Sequence, residues 1–383
     1  MSEKKIALLE LGFRPFYLLA ALWGSWVIIQ WILELNGVQS RFNSDISSMQ
    51  WHAHEMIFGF ATTVICGFAL TAVKAWTGLD TPKGYRLGGL VAIWLIGKIG
   101  VIFSSAFIAV EVLFLPAIAI VLTKLILQKK QYKNLFLPLI LTFLANLNIF
   151  FYLAIFNHLS FDPNKILIIS LYLILIIEMI IGGRVIPSFT ANAVFGIKQY
   201  RNLFLTRATL LISISTFFLQ TIMGTGFIPA ILSFSAAILQ LVLLIGWNPI
   251  ATRAKPILWI LHIAYTWVPV GFILLGMHCM GIISIYPAIH AFGIGLTGGL
   301  IIGMITRTAL GHTGRPLKAE KIETTGYILV QISALFWLLS HVFDYFMIQF
   351  LTLAGIVWAL GFILYLYKYT TYLWAPRADG KPG

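Results

Sequence analysis

Charge is scarce in this sequence. Of 383 residues only 10% are Asp, Glu, Lys or Arg, against about 25% in soluble globular proteins, while 60% are hydrophobic. A water-soluble fold is excluded. Cysteine is scarcer still, with Cys66 and Cys279 alone. That excludes a disulfide framework, a thiolate zinc site and a Cys-x-x-Cys-His haem attachment. The two cysteines stand at different depths of their helices, beyond the reach of one bridge, so two free, buried thiols are expected. Also missing are a glycine-rich phosphate loop, a Ser-His-Asp pattern, a low-complexity tract, an internal repeat and a dividing linker. The length would hold two or three soluble domains, but at this composition it holds about twelve spanning helices of about 20 residues. These take roughly 240 residues and leave no room for a sizeable extramembrane domain. The function must sit among the helices.

What is present is a succession of apolar runs. They predict helical spans at 14–36, 51–75, 86–107, 108–128, 135–157, 165–187, 203–223, 227–247, 257–279, 285–306, 325–343 and 345–367. The fold class is therefore all-α: a polytopic membrane protein, one bundle of about twelve transmembrane helices forming a single integral-membrane domain over residues 1–383. The first span, entered through Gly12-Phe13-Arg14-Pro15, does not read as a cleavable signal and is expected to be retained. The formal net charge of +13 suggests nucleic acid only until the basic residues are located. They fall in alternate loops: Lys4 and Lys5; Lys74, Lys83 and Arg86; Lys129, Lys130 and Lys133; Arg184, Lys198 and Arg201; Arg253 and Lys255; Arg307, Arg315, Lys318 and Lys321; Lys368, Arg377 and Lys381. The opposite loops hold only Arg41 and Lys165. This asymmetry predicts both termini in the cytoplasm and a lipid bilayer, not a nucleic acid, as the partner. Trp51, Trp76, Trp247, Trp259 and Trp374 fall near span ends, as interfacial rings should.

In so apolar a chain an ionisable residue inside a span needs a reason, and by default the reason is a site. The second span opens outside with Trp51-His52-Ala53-His54-Glu55, and the tenth runs the same way from His290 to Arg307. His52, His54, Glu55 and His290 therefore share an outer layer. His52 and His54 sit about 200° apart on a helix, so they have different jobs, one ligating and the other, or Glu55, serving a second metal or orienting the first ligand. Rows of small residues, Gly59, Thr63, Gly67 and Thr71 on the second span and Ala291, Gly295, Gly299 and Gly303 on the tenth, admit close neighbours, either each other or a flat cofactor. An inner layer holds Arg14, Arg184, Arg307 and Arg315 with His262 and His312. Guanidinium forks there suit an anion such as a carboxylate, haem propionates included. The bland alternative for the arginines is positive-inside anchoring, and for a lone interfacial histidine a hydrated helix mouth. Lys98, Glu111 and Glu178 lie inside spans and either pair with one another or line a polar path. His158 and His341 read as incidental and His278 as a weak ligand.

These residues bring a family into view. Gly12-Phe13-Arg14-Pro15-Phe16, Trp51-His52-Ala53-His54-Glu55-Met56, Gly67-Phe68 with Leu70-Thr71-Ala72, Trp76-Thr77-Gly78, Gly182-Gly183-Arg184-Val185-Ile186-Pro187, and Thr306-Arg307 with Gly311-His312-Thr313-Gly314-Arg315-Pro316-Leu317 occur in an order that resembles the NnrS family. Its members are haem- and copper-containing proteins of the bacterial inner membrane, linked to denitrification and nitric oxide resistance. The resemblance implies a twelve-span protein with b-type haem and copper, nitric oxide or another small gaseous or anionic ligand, and an electron donor. It makes His52, His54, Glu55, His262, His290 and His312 the metal-ligand or second-sphere candidates, with Arg14, Arg184, Arg307 and Arg315 about the cofactor. Lys98 departs from the arginine that the family would lead one to expect there. Depth allows one outer site, from His52 or His54 with His290, as in haem-copper oxidases by analogy. It also allows two layers, copper outside and a haem on His262 or His312 inside. Two other readings stay open: a cofactor-free transporter of a small anion, and a factor that delivers haem or copper to other enzymes. Whether nitric oxide is turned over by redox chemistry is open as well.

Overall fold

A computed structural model describes residues 7–38 and 45–381. Lys4, Lys5 and Arg41, counted among the loop charges above, lie outside the described residues. Twelve helices are long and apolar enough to cross a membrane: α1 Phe13–Leu35, α2 Ser48–Thr77, α3 Tyr85–Phe103, α4 Ser105–Gln128, α5 Tyr132–Ile155, α6 Pro163–Ala193, α7 Leu203–Met223, α8 Phe227–Gly246, α9 Pro256–Cys279, α10 Tyr286–His312, α11 Lys321–Leu339 and α12 Asp344–Trp374. No strand occurs among the described residues. The all-α, multi-pass fold expected from composition is the fold found. Helical content follows from the solvent: in hydrocarbon every peptide group must be satisfied within its own segment. Large apolar side chains stay outward on many helices, among them Leu22, Ile120, Phe218 and Ile238, each more than half exposed, as a lipid-facing surface requires.

Local chemistry sets the ends. Ser47 caps α2 by accepting from the backbone N–H of Gln50, and Asn202 caps α7 by accepting from Leu205. Pro163 and Pro256 open α6 and α9, where a missing N–H costs nothing. Glu320 and Glu323 form a reciprocal capping box at α11. Gly78 ends α2 at φ 69°, a left-handed turn that glycine alone enters without strain. Three expected boundaries move. The junction of the third and fourth spans is one extended residue, Ser104 (φ −157°, ψ 135°). α6 continues through Pro187 to Ala193, and α10 continues past Arg307 to His312. Charges near a span end stop a hydropathy run but not a helix, which can extend beyond the bilayer.

The chain divides into two compact units. The first comprises Met1–Ser170, Thr308–Pro316 and Phe362–Gly383, and the second Leu171–Arg307 and Leu317–Gly361. In the first unit α2 packs against α1, and a Cβ on Gly67 would meet Phe16 and Tyr17 of α1. In the second, Gly295 and Gly303 receive side chains of α9, and Gly299 meets Ala264 of α9 and Gln331 of α11. Both small-residue rows thus do admit close neighbours, α1 for one and α9 with α11 for the other. Two stretches depart from α geometry: Glu55–Ala61 in α2 and Ala291–Gly298 in α10 are π-helical. Each begins within one turn of a candidate outer histidine. Such segments are rare in helices and frequent at functional sites.

Candidate functional site

A dense group of buried polar side chains in the first unit surrounds Glu55, near the N-terminal end of α2. Lys98 of α3 lies 3.1 Å from Glu55 and 2.8 Å from Glu111 of α4. Asn148 of α5 donates through Nδ2 to both carboxylate oxygens of Glu111, at 3.3 and 3.1 Å. His54 closes the circuit, with Nδ1 2.8 Å from Glu55 Oε1 and Nε2 2.8 Å from Asn148 Oδ1. Trp23 of α1 donates to the other Glu55 oxygen at 2.7 Å. Every member of this circuit is buried; Lys98 is 4% exposed and His54 1%. Five helices are pinned at one level. Because Asn148 turns its amide nitrogen to Glu111, it turns its oxygen to His54. Both ring nitrogens of His54 are therefore engaged by buried partners. Two carboxylates thus share the Lys98 ammonium, and the imidazole bridges Glu55 to Asn148. A narrow crevice beside this group, without room for a water molecule, is lined by Phe58, Trp94, Lys98, Glu111, Phe114, Leu115 and Asn148.

His52 is on the far side of the same turn, as the 200° separation required. Its ring stacks on Trp31 (centroids 4.8 Å apart, planes at 24°), and its Nδ1 is buried without a hydrogen-bond partner. His54 instead stacks on Phe151 at 4.7 Å and is flanked by Phe58 and Tyr152. His54, Glu55, Lys98 and Glu111 are thus brought together. Glu178 is not among them, for in the second unit it accepts from Thr297 at 3.0 Å.

In the second unit His262 is 2% exposed on α9. Thr190 of α6 donates its hydroxyl to the carbonyl of Ile186 at 2.9 Å, which leaves its oxygen to accept from His262 Nε2, also at 2.9 Å. The hydrogen of His262 is thereby placed on Nε2, and Nδ1 is the lone-pair nitrogen, buried and without a partner. His290 lies flat on Trp337, with centroids 3.8 Å apart and planes at 9°, and its Nδ1 is 3.0 Å from the carbonyl of Tyr286. Trp337 carries His341 at 4.2 Å as well. Arg307 covers the ring of Phe189, 3.9 Å from its centroid, and Arg184 is exposed on α6.

The remaining inner candidates gather in the first unit. Arg14, fully buried, donates to the carbonyls of Leu373 and Ala375 at 2.9 and 2.8 Å, tying the start of α1 to the end of α12. Arg315 lies 3.8 Å above the Tyr372 ring. His312 packs on Phe13 at 5.5 Å and offers its carbonyl to Arg377. Arg377 also pairs with Asp379 at 2.6 Å, which holds that carboxyl down at about 2. Asp379 in turn fits against Gly314, whose φ of 72° and lack of Cβ make room for it.

Among the described residues no three of His, Cys, Asp or Glu stand together as a metal cage. Asn148, Trp23, Thr190 and the Arg377–Asp379 clasp escaped the sequence reading. The amides Asn146 and Asn148 amid the apolar run of α5 were the signal for Asn148; a threonine hydroxyl in a span usually bonds its own helix, so Thr190 gave none. No curated protein matches this chain. The family model described as NnrS protein matches residues 7–377, nearly the whole length, and the chain belongs to that family.

Proposed function

We propose that this member of the NnrS family binds haem, and by family expectation copper, in a bacterial inner membrane, and that it acts in the response to nitric oxide or nitrosative stress with both termini in the cytoplasm. One observation carries the reading: two imidazole nitrogens, Nδ1 of His52 and Nδ1 of His262, are buried with nothing to bond. Leaving a polar atom so costs about 1–3 kcal/mol, and ligation of a metal would offset it. For His262 the lone pair is fixed by Thr190, the outer-sphere arrangement that ligating histidines generally have. His290 is oriented in the same manner through the carbonyl of Tyr286.

This donor set suits haem, which asks the protein for only one or two axial ligands. Haem held by these imidazoles would supply an iron centre able to bind nitric oxide. What the chain contributes is orientation: Thr190 and Tyr286 set which nitrogen faces outward, and the stacked Trp31 and Trp337 fix the ring planes. Copper fits less well. It needs several converging protein ligands, and no such group of three is assembled among the described residues, so copper rests on the family alone.

The visible spectrum of the purified chain, with iron and copper analysis, tests the reading. A Soret band that moves on titration with nitric oxide is expected, together with loss of haem in His52→Ala or His262→Ala. Protein made with ample haem precursor and copper, yet lacking both the band and stoichiometric metal, would leave the anion-transporter reading in its place.

A further inference from the structure

We infer that His54 is a positioning residue and not a metal ligand: with Glu55, Lys98, Glu111 and Asn148 it closes a buried, hydrogen-bonded lattice that fixes the outer turn of α2, and the donor which that turn presents to a metal is His52. The inference rests on the haem reading above and deepens it. A ligating imidazole must have one nitrogen lone pair to give. Neither nitrogen of His54 is free to give one, since Nδ1 is bonded to Glu55 and Nε2 to Asn148, both at 2.8 Å.

Freeing either nitrogen would strand a buried partner. Without His54, Asn148 Oδ1 loses its partner, and Glu55 keeps only Trp23 and Lys98. Turning the ring is blocked too, because Phe151 is stacked on one face and Phe58 and Tyr152 crowd its edges. The crevice beside the lattice has no room even for a water molecule, against the roughly 300–1,000 Å³ usual for ligand pockets, so a macrocycle has no place there. Two residues earlier the opposite holds. His52 is only half-buried, braced by Trp31, with Nδ1 unbonded. The lattice acts on it through the backbone of one helical turn, anchored by four other helices.

The test compares cavity variants of the full chain, purified in detergent, for iron and copper per protein, for the Soret and electron paramagnetic resonance spectra, and for recovery with added imidazole. His52→Gly should lose metal, by about 10- to 100-fold in affinity or more, and regain it with imidazole. His54→Gln should keep the wild-type stoichiometry but with a shifted spectrum, because the turn bearing His52 has moved. Asn148→Ala provides a second variant if His54→Gln does not accumulate. It removes the partner of His54 Nε2, and metal content should again be unchanged. The inference is overturned if His54→Gly is depleted and rescued by imidazole while His52→Gly stays loaded, or if Asn148→Ala costs the 10- to 100-fold typical of a ligand's outer-sphere partner. Wild-type protein without iron or copper would sink the haem reading and the role of His52 with it, a result distinct from a loaded wild type in which His54 proves to be the ligand.

Discussion

Lys98 is the residue whose loss should be felt most. Lys98→Met removes the ammonium that stands 3.1 Å from Glu55 and 2.8 Å from Glu111 and leaves both carboxylates buried, with only neutral donors and His54 to meet them. Breaking a buried ion pair by removing one partner costs about 3–5 kcal/mol, chiefly the penalty of the stranded charge. At roughly 2–4 °C per kcal/mol for a large domain, the melting temperature should fall by about 6–20 °C. Thermal unfolding in detergent, followed by circular dichroism, gives the readout. The cause can be isolated with a second change: Glu111→Gln alone should also destabilise, but Lys98→Met with Glu111→Gln should be milder than the sum, by a coupling of about 0.5–3 kcal/mol. Lys98→Arg should hold the network, because a planar guanidinium can bridge two carboxylates, less whatever the longer side chain costs in packing. Additive single and double variants, or a Lys98→Met protein that melts like wild type, would mean that the lattice is solvated and contributes nothing.

Gly59→Ala should destabilise by about 1–3 kcal/mol, since the new Cβ would come 2.6 Å from Glu55 Oε2 and collide with Trp23; the melting temperature and quenching of tryptophan fluorescence both report it. Thr190→Val should lower haem affinity by about 10- to 100-fold through loss of the tautomer lock on His262, and Thr190→Ser should restore it; equal retention by both variants would remove Thr190 from any role toward the cofactor. The Asp379 carboxyl, held at about 2 by Arg377 against an ordinary 3.8, should keep its contribution to the clasp at pH values above 3.8 and lose it only as the pH falls through about 2. Arg377→Ala should abolish that window, as C-terminal protection from an acid-active protease would reveal. Single cysteines placed at Lys165 and Lys318 should label from opposite sides of the membrane, Lys318 from the cytoplasm, and the buried native thiols Cys66 and Cys279 should add little background.

The spans were legible because hydrocarbon imposes one rule on all of them, a run of apolar residues long enough to cross. Their ends were less so. The expected spans stop at Pro187 and Thr306, but α6 and α10 continue to Ala193 and His312, because neither a proline already within a helix nor a charge must end one that has reached water. The charges within spans were legible as exceptions, and pairing among Lys98 and Glu111 was one of the options they presented. That Glu55 joins them and Glu178 does not depends on which helices meet, and an all-round apolar helix carries little periodic signal to say so. α1 is illegible for the same reason: Trp23 reads as one more bulky residue until Gly59 is seen to leave the gap in which its indole reaches Glu55.

The two π-helical segments connect helix packing to the aim of the histidines. Each accommodates an extra residue in a turn and so rotates the helix on its C-terminal side by about 100° relative to the helix on its N-terminal side. In α2 the segment starts at Glu55, directly after the lattice histidine, so the outer turn that carries His52 and His54 is set independently of the small-residue face that packs on α1. In α10 the segment starts at Ala291, directly after His290, and frees that histidine's plane against Trp337 from the rows that pack on α9 and α11. A regular helix would tie the direction of each histidine to the packing of the whole span. With the π turn between them, helix packing can be tight while the outer turn is aimed separately. Replacing the wider turn by deletion of one residue, Ile57 in α2 or Ile294 in α10, should therefore leave a folded membrane protein that has lost the aim of His52 or His290: metal content should drop while helical circular dichroism is kept. Loss of helix and metal together would instead make the π segments part of the packing itself.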